Sequence, residues 1–430
     1  MELRDLDALV YPERVHRSIY VDPEIFTEEM TRIFGGIWAY LAHESQISEP
    51  NDFTTTELGR RPLIITRDGD GRIHALINRC AHRASTVCQT DCGNAKRFTC
   101  GYHGWTYGND GALVGLPYPK GYPESFDRDS HGLRGLPRVE SYRGFIFGSL
   151  NPDVGDLVQW LGAARLYLDY FIDRAPGGNL QVRNKHRLSF AGNWKLAWDN
   201  AGDGLHAAYA HKSFAMLNEE RYGGGRSLSQ FKHTPDDTGM FGEDLGNGHI
   251  FVDQRPGIRG TFWDTQRPVP GQETAAEGIR GEYEAEAASA LLEAAPGSMI
   301  NLSIFPNLLI KGNQLEILTP RSVDRSDLHL WVCAAADAPD AVNTLRMRIA
   351  EDFPTFGNPD DIEIYERCQR GLQIEEVEWC DTSKGIGFEH VEVREGSEVR
   401  RSAVTYETPI RGYLKEWKRL MATDPKIATV

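Results

Sequence analysis

Four side chains in the first quarter of the chain have the types and spacing to hold a redox metal. Residues 79–83 read Arg-Cys-Ala-His-Arg and residues 100–105 read Cys-Gly-Tyr-His-Gly-Trp, so Cys80-x-His82 and Cys100-x2-His103 are separated by seventeen residues. Two Cys and two His can make a tetrahedral zinc site. Zinc motifs, however, usually pair Cys with Cys and His with His, whereas each motif here supplies one sulfur and one imidazole. Two loops meeting across a cluster would deliver both Cys to one iron and both His to the other, the ligand split of a mixed-ligand [2Fe–2S] centre. That split favours iron–sulfur over zinc. Cys88 and Cys92, between the motifs, are expected to be plain loop thiols, because a zinc pair built from them would leave Cys80 or Cys100 idle.

A second constellation lies at 199–211, Asp-Asn-Ala-Gly-Asp-Gly-Leu-His-Ala-Ala-Tyr-Ala-His, giving Asn200-x2-Asp203-x2-His206-x4-His211. Two helix histidines are often structural. Joined by a carboxylate from a distant segment, though, they form a 2-His-1-carboxylate triad, which holds Fe(II) and leaves positions open for O₂ chemistry. The stretch Asn358-Pro359-Asp360-Asp361-Ile362-Glu363 offers that carboxylate. Adjacent acids at a helix start also serve as N-caps, so Asp361 is read as the ligand and Asp360 as a cap or outer support. Asp203 is too near His206 in sequence to be a comfortable third ligand. Its better role is to orient a ligand histidine and relay electrons.

These residues need scaffolding. Residues 23–40, PEIFTEEMTRIFGGIWAY, repeat apolar side chains at helical spacing and predict one amphipathic helix. From about 52 to 150 the texture becomes short β-type runs, among them RPLIITRDGDGRIHALIN, a hairpin with a Gly-Asp-Gly turn, and YRGFIFGSLN. This predicts a small all-β module around the cysteine cluster. Beyond Asn151-Pro152 come a helical stretch, DLVQWLGAARLYLDYFIDRA, a strand, QVRNKHRLSF, and a helical stretch bearing the second constellation. Residues 222–275, rich in Gly, Asp and Pro, predict long loops, and 282–295 a largely solvated helix. INLSIFP, LLIKG, QLEILTPRSV and LHLWVCAAA predict an antiparallel meander, followed by helices over 339–353 and 360–372.

The 430 residues carry 62 acidic and 47 basic side chains, a formal charge of −15, with 40% hydrophobic residues. So acidic a surface repels phosphate backbones and anionic lipid, which argues against nucleic-acid or membrane partners. No run of about eighteen apolar residues offers a bilayer span. The charged start Met-Glu-Leu-Arg-Asp-Leu-Asp has no apolar run behind it, so a cytoplasmic location is expected. Seven cysteines are too few for a disulfide scaffold. No G-x-G-x-x-G follows a predicted strand, and the glycines at 223–225 read as loop residues, so the chain itself is not expected to bind nicotinamide.

In this order and at this separation, the two constellations resemble the α subunits of Rieske aromatic-ring-hydroxylating dioxygenases. LAHESQI at 41–47, ALIN at 75–78, SYRGFIFGSLNPDV at 141–154, GNWKL at 192–196 and PDDIEIYERCQRG at 359–371 are similar to the benzoate, toluate and anthranilate branch. Respiratory Rieske proteins differ: they carry an extra Cys in each motif and a Ser where this chain has Trp105. Fewer donors to the cluster sulfurs should lower the potential, as suits a cluster fed from NADH. The resemblance implies an α+β protein in which a small all-β Rieske domain (41–155) is inserted into a helix-grip-like catalytic domain (156–430) with an antiparallel sheet. An N-terminal helical segment (1–40) would pack on the catalytic domain. It further implies that Cys80, His82, Cys100 and His103 hold the [2Fe–2S] cluster, that His206, His211 and Asp361 hold mononuclear Fe(II), and that Asp203 bridges to the Rieske histidine of a neighbouring subunit. The implied activity is cis-dihydroxylation of an aromatic carboxylate with O₂. The alternative is a Rieske monooxygenase performing hydroxylation or demethylation; an electron carrier or a zinc-stabilised binding protein is disfavoured by the second constellation and by the first, respectively. Implied partners are an NADH-dependent flavin reductase, a ferredoxin in some systems, and further copies in a trimer with or without a small β subunit. Ala84 departs from the glycine usual after Cys-x-His-Arg.

Overall fold

The computed structural model describes residues 6–222, 239–257, 260–265 and 269–427, which divide into two compact units. Glu29–Leu157 form one, joined by the tail from Asp424; the chain up to Glu28 and Val158–Thr423 form the other. The expected N-terminal segment 1–40 is therefore split between them. Its helix stops at Arg32, and Gly35-Gly36 lead into a strand, Ala39–His43, that pairs with Phe145–Ser149. Ile33, Phe34 and Trp38 are fully buried in that β-rich unit, which explains why an apolar face read as helix ends as sheet.

The smaller unit is built from three antiparallel sheets. The hairpin Arg61–Arg67/Ile73–Ile77 forms as expected and extends through Asp52–Leu58 to Cys92–Asn94. At its tip Asp68 accepts from the backbone of Asp70 and Arg72, while Gly71 takes φ +84°. Such a left-handed turn position is the natural place for glycine. Leu58, Leu63, Ile65 and Ile146 fill the core between strands. A second apolar cluster, with Phe53, Ile64, Phe98, Trp105 and Tyr107, lies beneath the cysteine loops.

The larger unit is organised by one nine-stranded antiparallel sheet. Its strands run in the spatial order Leu180–Phe190, Arg325–Ala335, Gln314–Ser322, Leu308–Lys311, Ile300–Ile304, Ile250–Asp253, Phe241–Asp244, Ser397–Ala403 and His390–Arg394. The four predicted meander strands are there. Two others, Phe241–Asp244 and Ile250–Asp253, fall inside the stretch read as loops, and both are almost wholly buried. Their acids misled the reading. Glu243 is completely buried but neutralised by Arg394 at 3.0 Å and Arg401 at 2.7 Å, partners contributed by strands far along the chain. The glycines at 223–225, also read as loop, lie outside the described residues.

The two helices expected over 339–353 and 360–372 are one, Asp340–Leu372, running through Pro354 and Pro359. Each proline removes a single ladder hydrogen bond and normally kinks or ends a helix. Here tertiary contacts hold both halves: Arg346 donates to the Cys333 carbonyl at 3.2 Å and Gln314 to the Ala350 carbonyl, while Glu366 and Gln369 accept from the amides of Ala191 at 3.0 Å and Asn193 at 2.8 Å. The C-terminal helix Thr408–Met421, which drew no sequence-based expectation, packs Gly412 so tightly on Asp244 that a Cβ there would lie 2.4 Å from its carboxyl carbon.

Candidate metal centres

His206 and His211 bracket a single helical turn, Ala207–Ala210, between the helices Lys195–Ala201 and Lys212–Tyr222. Asp361 comes from the middle of the long helix. Ligand atoms of these three residues all lie within 4.8 Å of one another, the one such group of His, Cys, Asp and Glu among the described residues. Asp361 Oδ1 is 3.6 Å from His206 Nε2 and 3.2 Å from His211 Nε2, and it accepts a hydrogen bond from Asn200 at 3.1 Å. Burial pushes the His206 imidazole below its ordinary pKa, against the pull of the Asp361 and Asp203 carboxylates. Burial would raise Asp361, but hydrogen bonding to His211 and the charge of Lys311 hold it below the usual carboxylate range. Neutral imidazole beside an ionised carboxylate is the donor state a divalent ion needs.

The surrounding groups orient these donors. His206 Nδ1 lies 2.6 Å from the backbone carbonyl of Asp203, which turns Nε2 toward Asp361. The orienting group is thus the Asp203 carbonyl. Its carboxylate instead accepts from the amides of Leu205 at 2.6 Å and His206 at 3.3 Å, with Oδ2 4.0 Å from the ring and the side chain 35% exposed. Asp360 lies mid-helix, so it does not cap that helix as the sequence allowed. It stands 3.5 Å from His211 Nδ1 and accepts from Ser213 at 3.1 Å, a carboxylate–histidine contact of the kind that steadies metal ligands.

The helix bearing Asn200 is anchored from beneath. Tyr413 donates to Asp199, a fully buried carboxyl that burial raises to about 6, against the Tyr413 and Tyr20 hydroxyls and Lys195. Tyr413→Phe leaves that carboxyl short of a donor. The expected loss of stability is about 1–3 kcal/mol, read from thermal or urea unfolding.

The other four expected ligands sit on two loops with matching backbones. Ala84 N–H bonds back to the Cys80 carbonyl, and Gly104 N–H to the Cys100 carbonyl, each at 3.0 Å. Both closing residues are left-handed, Ala84 at φ +61° and Gly104 at φ +72°. Ala84→Gly should therefore relieve strain and raise the melting temperature, by roughly 1 kcal/mol of stability. Cys80 and Cys100 are each 2% exposed, and the His82 and His103 rings lie 4.5 Å apart between centroids. His82 Nδ1 is buried without a hydrogen-bond partner among the described residues, a nitrogen prepared for a ligand. Burial would raise the Cys100 thiol, yet the amide of Tyr102, the Cys80 side chain and the amide of His103 hold it below its ordinary value. Two paired thiols and two adjacent imidazoles on facing loops fit a [2Fe–2S] group.

The chain matches the Rieske [2Fe-2S] domain family over residues 37–140 and the ring hydroxylating alpha subunit (catalytic domain) family over residues 178–423. It belongs to the ring-hydroxylating oxygenase alpha subunits. Among curated relatives, this alpha subunit is 36% identical to the alpha subunit of toluate 1,2-dioxygenase from Pseudomonas putida, over 84% of this chain and 79% of the relative. It is 34% identical to the large subunit of 2-halobenzoate 1,2-dioxygenase from Burkholderia cepacia, over 86% and 80%. The solved naphthalene 1,2-dioxygenase from Rhodococcus sp., bound to indole, superposes with TM-score 0.74 at 28% identity, covering 95% of this chain and 94% of that one. Ring-hydroxylating alpha subunits of this type are Rieske non-haem iron dioxygenases, so a [2Fe–2S] cluster and a mononuclear iron are this protein's cofactors. No helix among the described residues is long and apolar enough to cross a membrane.

One functional group of the alpha subunit escaped the sequence reading. The Tyr107 hydroxyl lies 3.1 Å from Cys80 Sγ and accepts from the Ala81 amide at 3.1 Å. Its only sequence signal is a tyrosine on the strand that follows the second motif. With Cys80 as a cluster ligand, such a donor would stabilise the reduced, more negative state. Tyr107→Phe should lower the reduction potential by on the order of 50 mV, about 1 kcal/mol for one electron, measured by redox titration of the visible spectrum. Cys100→Ser should abolish that spectrum, while Cys88→Ser, whose sulfur contacts Thr90, should leave it intact.

Proposed function

We propose that this alpha subunit is the terminal oxygenase component that uses O₂ and NADH-derived electrons to cis-dihydroxylate the ring of an aromatic carboxylate resembling benzoate. In this reading Cys80, His82, Cys100 and His103 hold the cluster, and His206, His211 and Asp361 hold the iron. The observation that carries it is the convergence of His206, His211 and Asp361 in a chain whose relatives act on toluate and halobenzoate. When bound, the cluster supplies single electrons and the mononuclear iron supplies O₂ activation.

The chain's own residues prepare both positions. The Asp203 carbonyl holds the His206 Nδ1 proton, so Nε2 offers its lone pair. Asp360 does the equivalent for His211, and Asn200 fixes the rotamer of Asp361 through Oδ1. Asp203 keeps its second carboxylate oxygen available to accept from a cluster histidine of a neighbouring subunit, which makes a homotrimer, with or without a small β subunit, part of the electron path. Electrons arrive from an NADH-dependent flavin reductase, directly or through a ferredoxin. The protein works in the cytoplasm.

The test is product analysis with the complete electron-transfer system and a panel of benzoates, salicylates, phthalates and neutral arenes. A cis-diol carboxylate from a benzoate is the expected result. Exclusive demethylation or single hydroxylation would replace this reading with that of a monooxygenase.

A further inference from the structure

The sheet face against the long helix that bears Asp361 carries an ion pair, Lys311 and Glu316, that supplies no ligand to either expected metal centre. Strand register places Lys311 opposite Asn301 on one side and Gln314 on the other, and Leu309 opposite Glu316, so Asn301, Lys311 and Glu316 share one face of the sheet. Gln314 reaches the Ala350 carbonyl and Glu316 accepts from Asn358 at 3.3 Å, so this is the face turned toward the long helix. Asp361 follows Asn358 by three residues, one turn along that helix on the same side.

Lys311 is a lysine whose side chain is only 14% exposed, set 3.2 Å from Glu316 Oε2, itself 1% exposed. That contact commits one ammonium N–H at most, out of the three a lysine carries. The remaining N–H donors of the ammonium have no hydrogen-bond partner among the described residues, while the group feels the charges of Glu316 and Asp361. The side-chain amide of Asn301 likewise makes no hydrogen bond among the described residues. Burying a lysine beside a metal triad is costly unless its charge is answered. With a divalent ion on the triad, Asp361, Glu316 and Lys311 would be left with one net positive charge, which a monoanionic acid balances.

We propose that Lys311, steadied by Glu316 and flanked by Asn301, binds the carboxylate of the aromatic acid beside the iron and sets specificity for acids over neutral rings. This rests on the reading of the substrate as an aromatic carboxylate. An ammonium and an amide on adjacent strands present donors to both oxygens of a carboxylate; a neutral amide in its place keeps one acceptor oxygen, loses the ion pair and turns an NH₂ donor toward the second donor.

The experiment compares benzoate with benzamide, its neutral isostere, on the metal-loaded holoenzyme, by calorimetric binding and by product formation. The wild type is expected to bind benzoate the more tightly. Lys311→Met should shift the ratio of the two dissociation constants toward benzamide by about 100-fold or more. Lys311→Arg, which keeps the cation, should retain the preference. Because Lys311→Met alone strands the buried Glu316, the double variant Lys311→Met/Glu316→Gln removes both charges together and should show the same shift with iron content unchanged. A wild type that prefers benzoate and a double variant that prefers it equally overturns the anchor while leaving the proposed substrate class standing. A wild type that neither binds nor oxidises benzoate overturns that substrate class and the anchor with it.

Discussion

Asp361→Ala is expected to empty the mononuclear site and bring oxygenation to background, while the visible spectrum of the cluster stays at full intensity. Asp361 supplies the only carboxylate among the three convergent donors, and its Oδ1 faces both imidazoles. Two neutral imidazoles alone bind Fe(II) weakly, because the anionic oxygen both adds a ligand and offsets charge in a buried site. The residues proposed to hold the cluster lie in the other compact unit, so the two losses should separate. The fold should survive. Asn200 loses one acceptor, and Lys311 retains Glu316 as its ionic partner. Iron analysis together with the visible spectrum reads the outcome. Retained iron and full turnover would move the third ligand elsewhere, with Asp360, 3.5 Å from His211, the first candidate.

Asp203→Asn is expected to leave folding and both metals in place while turnover nearly stops. The carboxylate caps the turn that carries His206, and asparagine caps about as well as aspartate. The imidazole is oriented by the backbone carbonyl, which the substitution does not touch. What the variant removes is a negative charge at Oδ2, on a side chain about one-third exposed. If that charge couples a neighbouring cluster to this iron, oxidation of the pre-reduced cluster should slow by orders of magnitude in a single-turnover experiment, with no change in melting temperature. Asp203→Ala, by contrast, should also lose about 1 kcal/mol of stability with the cap. Turnover near wild type in Asp203→Asn would make the residue a cap and nothing more.

Much of the local structure was legible because its signals are local. The Arg61–Ile77 hairpin declares itself by alternating side chains about a Gly-Asp-Gly turn, and the meander from Ile300 to Ala335 by strand-length apolar runs. Strands that depend on remote partners were not legible. Phe241–Asp244 reads as loop because it contains Glu243 and Asp244, and only the folded sheet brings Arg394 and Arg401 against Glu243. The single helix over 340–372 was hidden for a related reason. Proline carries a local penalty that only tertiary packing on the sheet can outweigh.

By itself the sequence determined which atoms are available for chemistry: a Cys-x-His and a Cys-x2-His motif, and two histidines five residues apart beyond an acid. Ligand type and short spacing are covalent facts, and they survive any packing. Only the tertiary structure decided which of two adjacent aspartates points at the histidines. Asp360 and Asp361 differ by one residue, which on a helix is a rotation of about 100°, so one turns to Ser213 and the other to both Nε2 atoms. The tertiary structure likewise gave the orienting role to the Asp203 carbonyl and left its carboxylate to accept from the amides of Leu205 and His206. It also turned the sheet face shared by Lys311 and Glu316 toward the long helix that carries Asp361, a contact between segments far apart in the chain.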